Sequence, residues 1–290
     1  MGYRYAAILG CGYVGQAVAE LWQAQGITVT ATTTHPDRLP PLQRVADRAM
    51  VVRGNDGAAV ADLLAGQQVL LICVGAGRQA NYTETYLNTA ETVVQALDQA
   101  PDLRQIIFTS TYSVYGNYGG SWVREDDPAK PATDNGRIML DTENVLLSAA
   151  TAERQVCVLR LGGIYGPGRE LAKIYGRSAG TTRPGSGDEA SNWVHQEDIV
   201  GAIDWAKDQG LSGLYNLVQD EIPTVRQLID RVSQTYGLAP TPWDPTQPSA
   251  RPYNVRVSNQ KIKAAGYTFQ HPTFGDLTAD SRDSPSSQTP

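Results

Sequence analysis

Ile8-Leu9-Gly10-Cys11-Gly12-Tyr13-Val14-Gly15 is the stretch from which the rest of the chain can be read. An apolar run over residues 5–9 reaches a glycine turn, and Gln16-Ala17-Val18-Ala19-Glu20-Leu21 then opens an apolar face at helical spacing. A strand, a glycine-rich turn and a helix in that order make a dinucleotide site. Gly10 permits the tight turn, Gly12 lets backbone approach a pyrophosphate, and Gly15 lets the helix pack close to the strand. Exposed N–H groups and the positive end of the helix dipole hold phosphate there. The phosphates are expected on residues 12–14, so Gly10, Cys11, Gly12, Tyr13, Val14 and Gly15 are the first cofactor-binding candidates. The alternative is a plain structural turn.

Bulk properties narrow the class. With 290 residues the chain is long enough for a main domain and a smaller lobe. A net charge of −6 argues against a nucleic-acid footprint or an anionic membrane surface as partner. No apolar run approaches the ~20 residues of a spanning helix, and no signal peptide is expected. Cys11, Cys73 and Cys157 are widely spaced in apolar or glycine-rich surroundings, which reads as reduced thiols in a cytoplasmic protein. With only His35, His195 and His271, spacing offers no metal-ligand cluster, and no metal is expected.

Beyond the first helix, residues 27–32 read as a second, β-branched strand ending in Thr33-Thr34-His35-Pro36-Asp37-Arg38. An NAD-preferring site has an acid about 20 residues past the glycine turn, on the ribose 2′-hydroxyl. Residues 27–36 hold neither Asp nor Glu. Thr33 and Arg38 suit a 2′-phosphate instead, so NADP is the expected cofactor, with NAD as the alternative; the other reading of Arg38 is a plain solvated charge. Residues 50–52 read as a third strand, followed by Asp56 where an adenine amine can be met. Residues 69–74 form a continuous apolar run, as a buried parallel strand requires. Val74, Gly75 and Ala76 then make a second close backbone approach to the cofactor. Tyr86, Ala90, Val93, Val94 and Leu97 share one helical face. Residues 105–108 form a fifth strand. The alternation predicts an α/β, Rossmann-type doubly wound parallel sheet.

The fifth strand runs into Ser110-Thr111-Tyr112-Ser113-Val114-Tyr115-Gly116, which resembles the signature of extended short-chain dehydrogenases/reductases of the epimerase/dehydratase group. Leu159-Arg160-Leu161-Gly162-Gly163-Ile164-Tyr165-Gly166-Pro167-Gly168-Arg169 resembles that family's strand and substrate loop. Asn192-Trp193-Val194-His195-Gln196-Glu197-Asp198 and Tyr215-Asn216-Leu217 resemble its later elements in the same order. The resemblance spans roughly residues 4–275. It implies the fold, a nicotinamide dinucleotide, and a small-molecule substrate, with a nucleotide sugar as the candidate, in a monomer or homodimer.

One departure stands out. The family carries a Tyr-x-x-x-Lys pair with a Glu four residues later; Glu143 sets that register and puts Asn135 at the Tyr position and Met139 at the Lys position. The chemistry needs Tyr as general acid/base and Lys to lower its pKa. An amide and a thioether supply neither. Tyr115-Gly116, Gly119-Gly120, Trp122-Val123, Glu125 and Pro131 are similar to an atypical bacterial branch that also lacks the pair. Thr111, Tyr115 and Tyr165 are the catalytic candidates left, although packing plus one hydrogen bond also accounts for each tyrosine.

The expected plan is a dinucleotide domain over 1–160, rejoined by 196–218, and a substrate-side lobe over 161–277. Residues 171–192 read as a mobile cover in which Lys173, Arg177 and Arg183 either meet phosphate or are solvated. An amphipathic helix is expected over 225–236, an irregular proline strap over 240–252, a short helix over 259–265 and a disordered tail over 278–290. His195 reads as a hydrogen-bonding residue at a helix N-terminus. Two functions follow: an NADP(H)-dependent epimerase/dehydratase-like oxidoreductase, or an NADP(H)-binding regulatory or assembly protein without turnover.

Overall fold

The computed structural model describes residues 2–77, 81–275 and 277. The tail expected to be disordered lies outside the described residues. Strands in chain order are β1 (Tyr5–Leu9), β2 (Thr28–Thr33), β3 (Arg48–Val51), β4 (Val69–Ile72), β5 (Gln105–Thr111), β6 (Trp122–Val123) and β7 (Gln155–Leu161). They continue with β8 (Gly163–Tyr165), β9 (Arg183–Pro184), β10 (Trp193–His195), β11 (Gly213–Leu217), β12 (Trp243–Asp244) and β13 (Arg256–Val257). The helices are α1 (Tyr13–Ala24), α2 (Leu39–Leu42), α3 (Gly57–Leu64), α4 (Asn88–Ala96) and α5 (Asp134–Leu147), then α6 (Leu171–Gly176), α7 (Gln196–Gln209), α8 (Val225–Tyr236) and α9 (Gln260–Ala264).

Seven strands form one sheet in the order β11-β7-β5-β4-β1-β2-β3. Ala6 and Ala7 pair in parallel with Val29 and Thr30 on one side and with Val69 and Leu70 on the other. This order is the Rossmann-type arrangement, with the glycine turn leaving the central strand β1. β4 is buried throughout and β1 from Ala6 to Leu9, and their continuous apolar runs follow from having helices on both faces. Leu70, Ile72, Ile106 and Phe108 meet Val60, Leu63, Val93 and Leu146 in one core. Trp22 of α1 is wholly buried, and its indole donates to Asp204 Oδ1 of α7.

Two compact units emerge: residues 1–114, 133–160 and 200–215 make the first, and 115–132, 161–199 and 216–290 the second. The sequence reading puts 115–132 with the first domain; here it packs within the second unit. Two attachments explain this. β6 pairs with β13, and Tyr115 OH donates to Asn216 Oδ1 at 2.8 Å.

The second unit has its own core, in which Tyr165, Leu171, Tyr175 and Trp193 pack on Val225, Leu228, Ile229 and Val232 of α8. α8 starts at a Thr224–Gln227 capping box and stops at Gly237 in the left-handed region, φ 62°. The stretch expected as a loose cover contains α6 and β9, and the proline strap contains β12, which pairs with β9.

Candidate functional site

The three glycines of the first turn have three different surroundings. Gly10 has φ +88°, and a Cβ on it would lie 2.7 Å from Val74 Cα and 2.8 Å from Val74 N. Backbone from the end of β4 therefore crosses directly against the turn. A Cβ on Gly15 would meet Gly10 O and Ile8 Cγ2 at 3.2 Å, so α1 lies close against β1. Gly12 differs: a Cβ there would have no heavy atom within 4 Å. Glycine at 10 and 15 serves protein packing, whereas at 12 it leaves room for something outside the protein. Gly12 is the N-cap of α1 and, as glycine, offers no capping side chain. A helix N-terminus of that kind accepts an anion.

Around the turn, Thr32 has a role that sequence reasoning missed. Its Oγ1 accepts from Gly10 N at 2.9 Å, and its carbonyl accepts from Cys11 N at 2.8 Å. The hydroxyl run at the end of β2 was the available signal. Thr33 is buried, and its Oγ1 accepts from His35 N. Arg38 is exposed on the turn Pro36–Arg38. Burial and the neighbouring Cys73 push the Cys11 thiol up to about 12, against the opposing pull of the Arg38 charge. Asp56 is exposed and caps α3, accepting from Ala59 N at 3.1 Å. A Cβ on Gly75 would be in open space, and Ala76 N donates to Tyr86 OH at 3.1 Å.

The catalytic candidates are all engaged. Thr111 ends β5; its hydroxyl donates to Ser113 Oγ and accepts from Ser113 N. Tyr115 and Tyr165 are 0 % and 2 % exposed. Tyr165 OH donates to Gln219 Oε1 at 2.9 Å, and its ring meets Trp193, His195 and Phe274. Asn216, which receives the Tyr115 hydroxyl, also donates Nδ2 to Ser258 O and its own N to Glu125 Oε1. On α5, Asn135 is exposed in the first turn, behind the Thr133 cap. Met139 is 4 % exposed and belongs to the core of the first unit.

The expectation that no metal-ligand cluster can be drawn is corrected by the fold. His195, Glu197 and His271 each bring a ligand atom within 4.8 Å of the others. The separation of His271 from the other two along the chain hid this. His195 closes β10, and its Nδ1 accepts from Glu197 N at 3.3 Å, at the start of α7. Lys173 pairs with Glu170 at 2.8 Å, and Arg183 lies by the Trp243 ring and donates to Ser178 Oγ.

Known proteins resemble this chain over almost its whole length. Protein YeeZ of Escherichia coli (strain K12) is 28 % identical over 277 residues, covering 93 % of this chain and 97 % of that one. A conserved protein of unknown function from Silicibacter pomeroyi DSS has a structure similar at a TM-score of 0.80, with 25 % identity over 97 % of this chain and 99 % of that one. MoeE5, solved in complex with UDP-glucuronic acid and NAD, matches at a TM-score of 0.79 with 19 % identity, over 96 % of this chain and 97 % of that one. A family model matches residues 6–217, from β1 through β11, and the chain belongs to the NAD dependent epimerase/dehydratase family.

Proposed function

We propose that this chain binds NADP(H) on the 10–15 turn and is an epimerase/dehydratase-like oxidoreductase of a nucleotide-sugar-like small molecule. The observation that carries this reading is the open space at Gly12, where glycine stands at the N-cap of α1. Backbone N–H groups of residues 12–14 would hold the pyrophosphate. When bound, the nicotinamide supplies or accepts a hydride. Preference for NADP(H) rests on the acid-free end of β2 and on Arg38, exposed just beyond that strand. The substrate class rests on family membership and on the UDP-sugar bound by MoeE5.

Within the chain, Thr111 would orient a reacting oxygen. Tyr115 and Tyr165 are the remaining phenols able to hold a proton nearby in motif order, each now directed to an amide oxygen. The test is titration of the purified protein with NADP(H) and NAD(H), followed by Arg38→Ala. Tighter NADP(H) binding, weakened by about tenfold or more in the variant, is expected from losing one charged hydrogen bond. Equal affinities, or an unchanged value in the variant, would make Arg38 a surface charge.

The burial of Met139 favours a second reading, an NADP(H)-binding regulatory or assembly protein. That position carries no cation to anchor a ribose. Nucleotide binding without turnover on nucleotide sugars or on any other small alcohol or carbonyl substrate would support this reading over the first.

A further inference from the structure

His195, Glu197 and His271 lie in the second unit, and the dinucleotide chemistry makes no use of them. Glu197 Oε2 stands 2.7 Å from His271 Nε2 and 3.9 Å from His195 Nδ1. A tetrahedral ion with ligand bonds of about 2.0–2.2 Å separates its ligand atoms by roughly 3.3–3.6 Å. The two observed spacings bracket that value, and all three ligand atoms lie within 4.8 Å of one another. The imidazole rings of His195 and His271 already lie together, centroids 3.7 Å apart.

The backbone holds this arrangement independently of any ion. Asp198, wholly buried, accepts from His271 N at 2.9 Å and from Gln270 N at 2.7 Å. Tyr267 OH donates to the same carboxylate. The 267–271 segment is thereby tied to the residue that follows Glu197. Exposure is graded as a loading site requires: the His195 side chain is 2 % exposed, His271 32 % and Glu197 53 %. One ligand is rigid, and two face solvent.

We infer that His195, Glu197 and His271 form a binding site for a divalent cation of the zinc type, with water completing the coordination. Two imidazoles and one carboxylate are a donor set that zinc takes. The ion replaces the Glu197–His271 contact and the 3.3 Å bond from Glu197 N to His195 Nδ1.

The experiment uses full-length protein with any affinity tag cleaved, stripped by a chelator and then titrated with Zn²⁺ against a chromophoric competitor. A parallel titration with Co²⁺ is read by visible absorption. Wild type is expected to bind one equivalent and to give the ligand-field bands of low-coordinate cobalt. Glu197→Gln and His271→Ala should each weaken binding by about tenfold or more. His271→Cys should keep the ion and add a thiolate-to-cobalt band. Because Glu197 is half exposed, Glu197→Gln leaves folding intact and keeps the test decisive. Absence of stoichiometric binding in wild type, or wild-type affinity in both Glu197→Gln and His271→Ala, overturns the site. Neither readout depends on bound nucleotide.

Discussion

Glu143 and Arg160 form a two-pronged ion pair inside the first unit, with side chains 1 % and 2 % exposed. Arg160 Nε donates to both carboxylate oxygens at 3.1 Å, Nη2 donates to Oε2 at 2.6 Å, and Ser110 Oγ donates to Oε1 at 2.5 Å. One carboxylate thus joins α5 to β7 and β5. The pair fixes the register of α5, and with it the places of Asn135 and Met139. Removing one partner strands a buried charge, which costs about 3–5 kcal/mol. Glu143→Ala should lose that much in urea unfolding, while the double replacement Glu143→Leu with Arg160→Met should recover part of it. A loss below about 1 kcal/mol in the single variant would show that the pair does not hold α5.

The first turn makes opposite demands at Gly10 and Gly12. Alanine at 10 must adopt a left-handed φ, costing about 1–2 kcal/mol, and its Cβ meets the Val74 backbone at 2.7 Å. Alanine at 12 meets nothing. Gly10→Ala should therefore lower the melting temperature even without nucleotide. Gly12→Ala should melt as wild type does yet bind NADP(H) several-fold more weakly. Unchanged nucleotide affinity in Gly12→Ala would remove that residue from the cradle.

Much of this was legible because the signals are local. The apolar runs around β1, β4 and β5 have the period-free character of strands buried on both faces. Expected bounds of 225–236 coincide with α8, since Thr224, Gln227 and Gly237 are start and stop signals in the sequence itself. Edge positions were harder. β3 runs Arg48–Val51 where 50–52 was expected, since a rim strand with Arg48 and Val51 exposed carries little apolar pattern. Pairs such as β6 with β13 and β9 with β12 are two residues long and join distant segments, so no periodicity announces them. The same limit hid Thr32 under Gly10 and His271 beside Glu197. Each is a contact made by the fold, between residues whose own neighbours in sequence are unremarkable.

Glu170 gives a pH signature. Burial alone would raise its pKa, but the Lys173 ammonium at 2.8 Å and the Gly168 N–H at 2.9 Å outweigh it and hold the carboxyl at about 2, against an ordinary 4.5. A depressed folded pKa contributes stability above the unfolded value, and that contribution disappears as pH falls through the folded one. Glu170→Gln should therefore destabilise the protein near neutrality by about 1.5–3 kcal/mol. The gap to wild type should narrow between pH 4.5 and about 2. A gap that stays constant across this interval would assign the loss to packing.

The last prediction concerns α5. Asn135 is exposed in its first turn, whereas Met139 is 4 % exposed among Phe108, Val114 and Leu146. Neither side chain can pass a proton, and a positioned acid or base contributes typically ~10²–10⁴-fold to rate. Wild type should therefore show little or no hydride transfer on common nucleotide sugars, even with NADP(H) bound. Restoring the pair should also be difficult. A lysine at 139 places an ammonium in an apolar core, which lowers its pKa and costs stability. Asn135→Tyr should fold like wild type without gaining activity, and Asn135→Tyr with Met139→Lys should melt at a lower temperature. Turnover confined to the double variant would support the view that the missing pair is what silences the chain. The decisive comparison is wild type beside Tyr165→Phe and Tyr115→Phe, which keep the rings and remove only the hydroxyls bonded to Gln219 and Asn216. Strong wild-type turnover abolished by either change would overturn the reading and identify that phenol as a relocated acid.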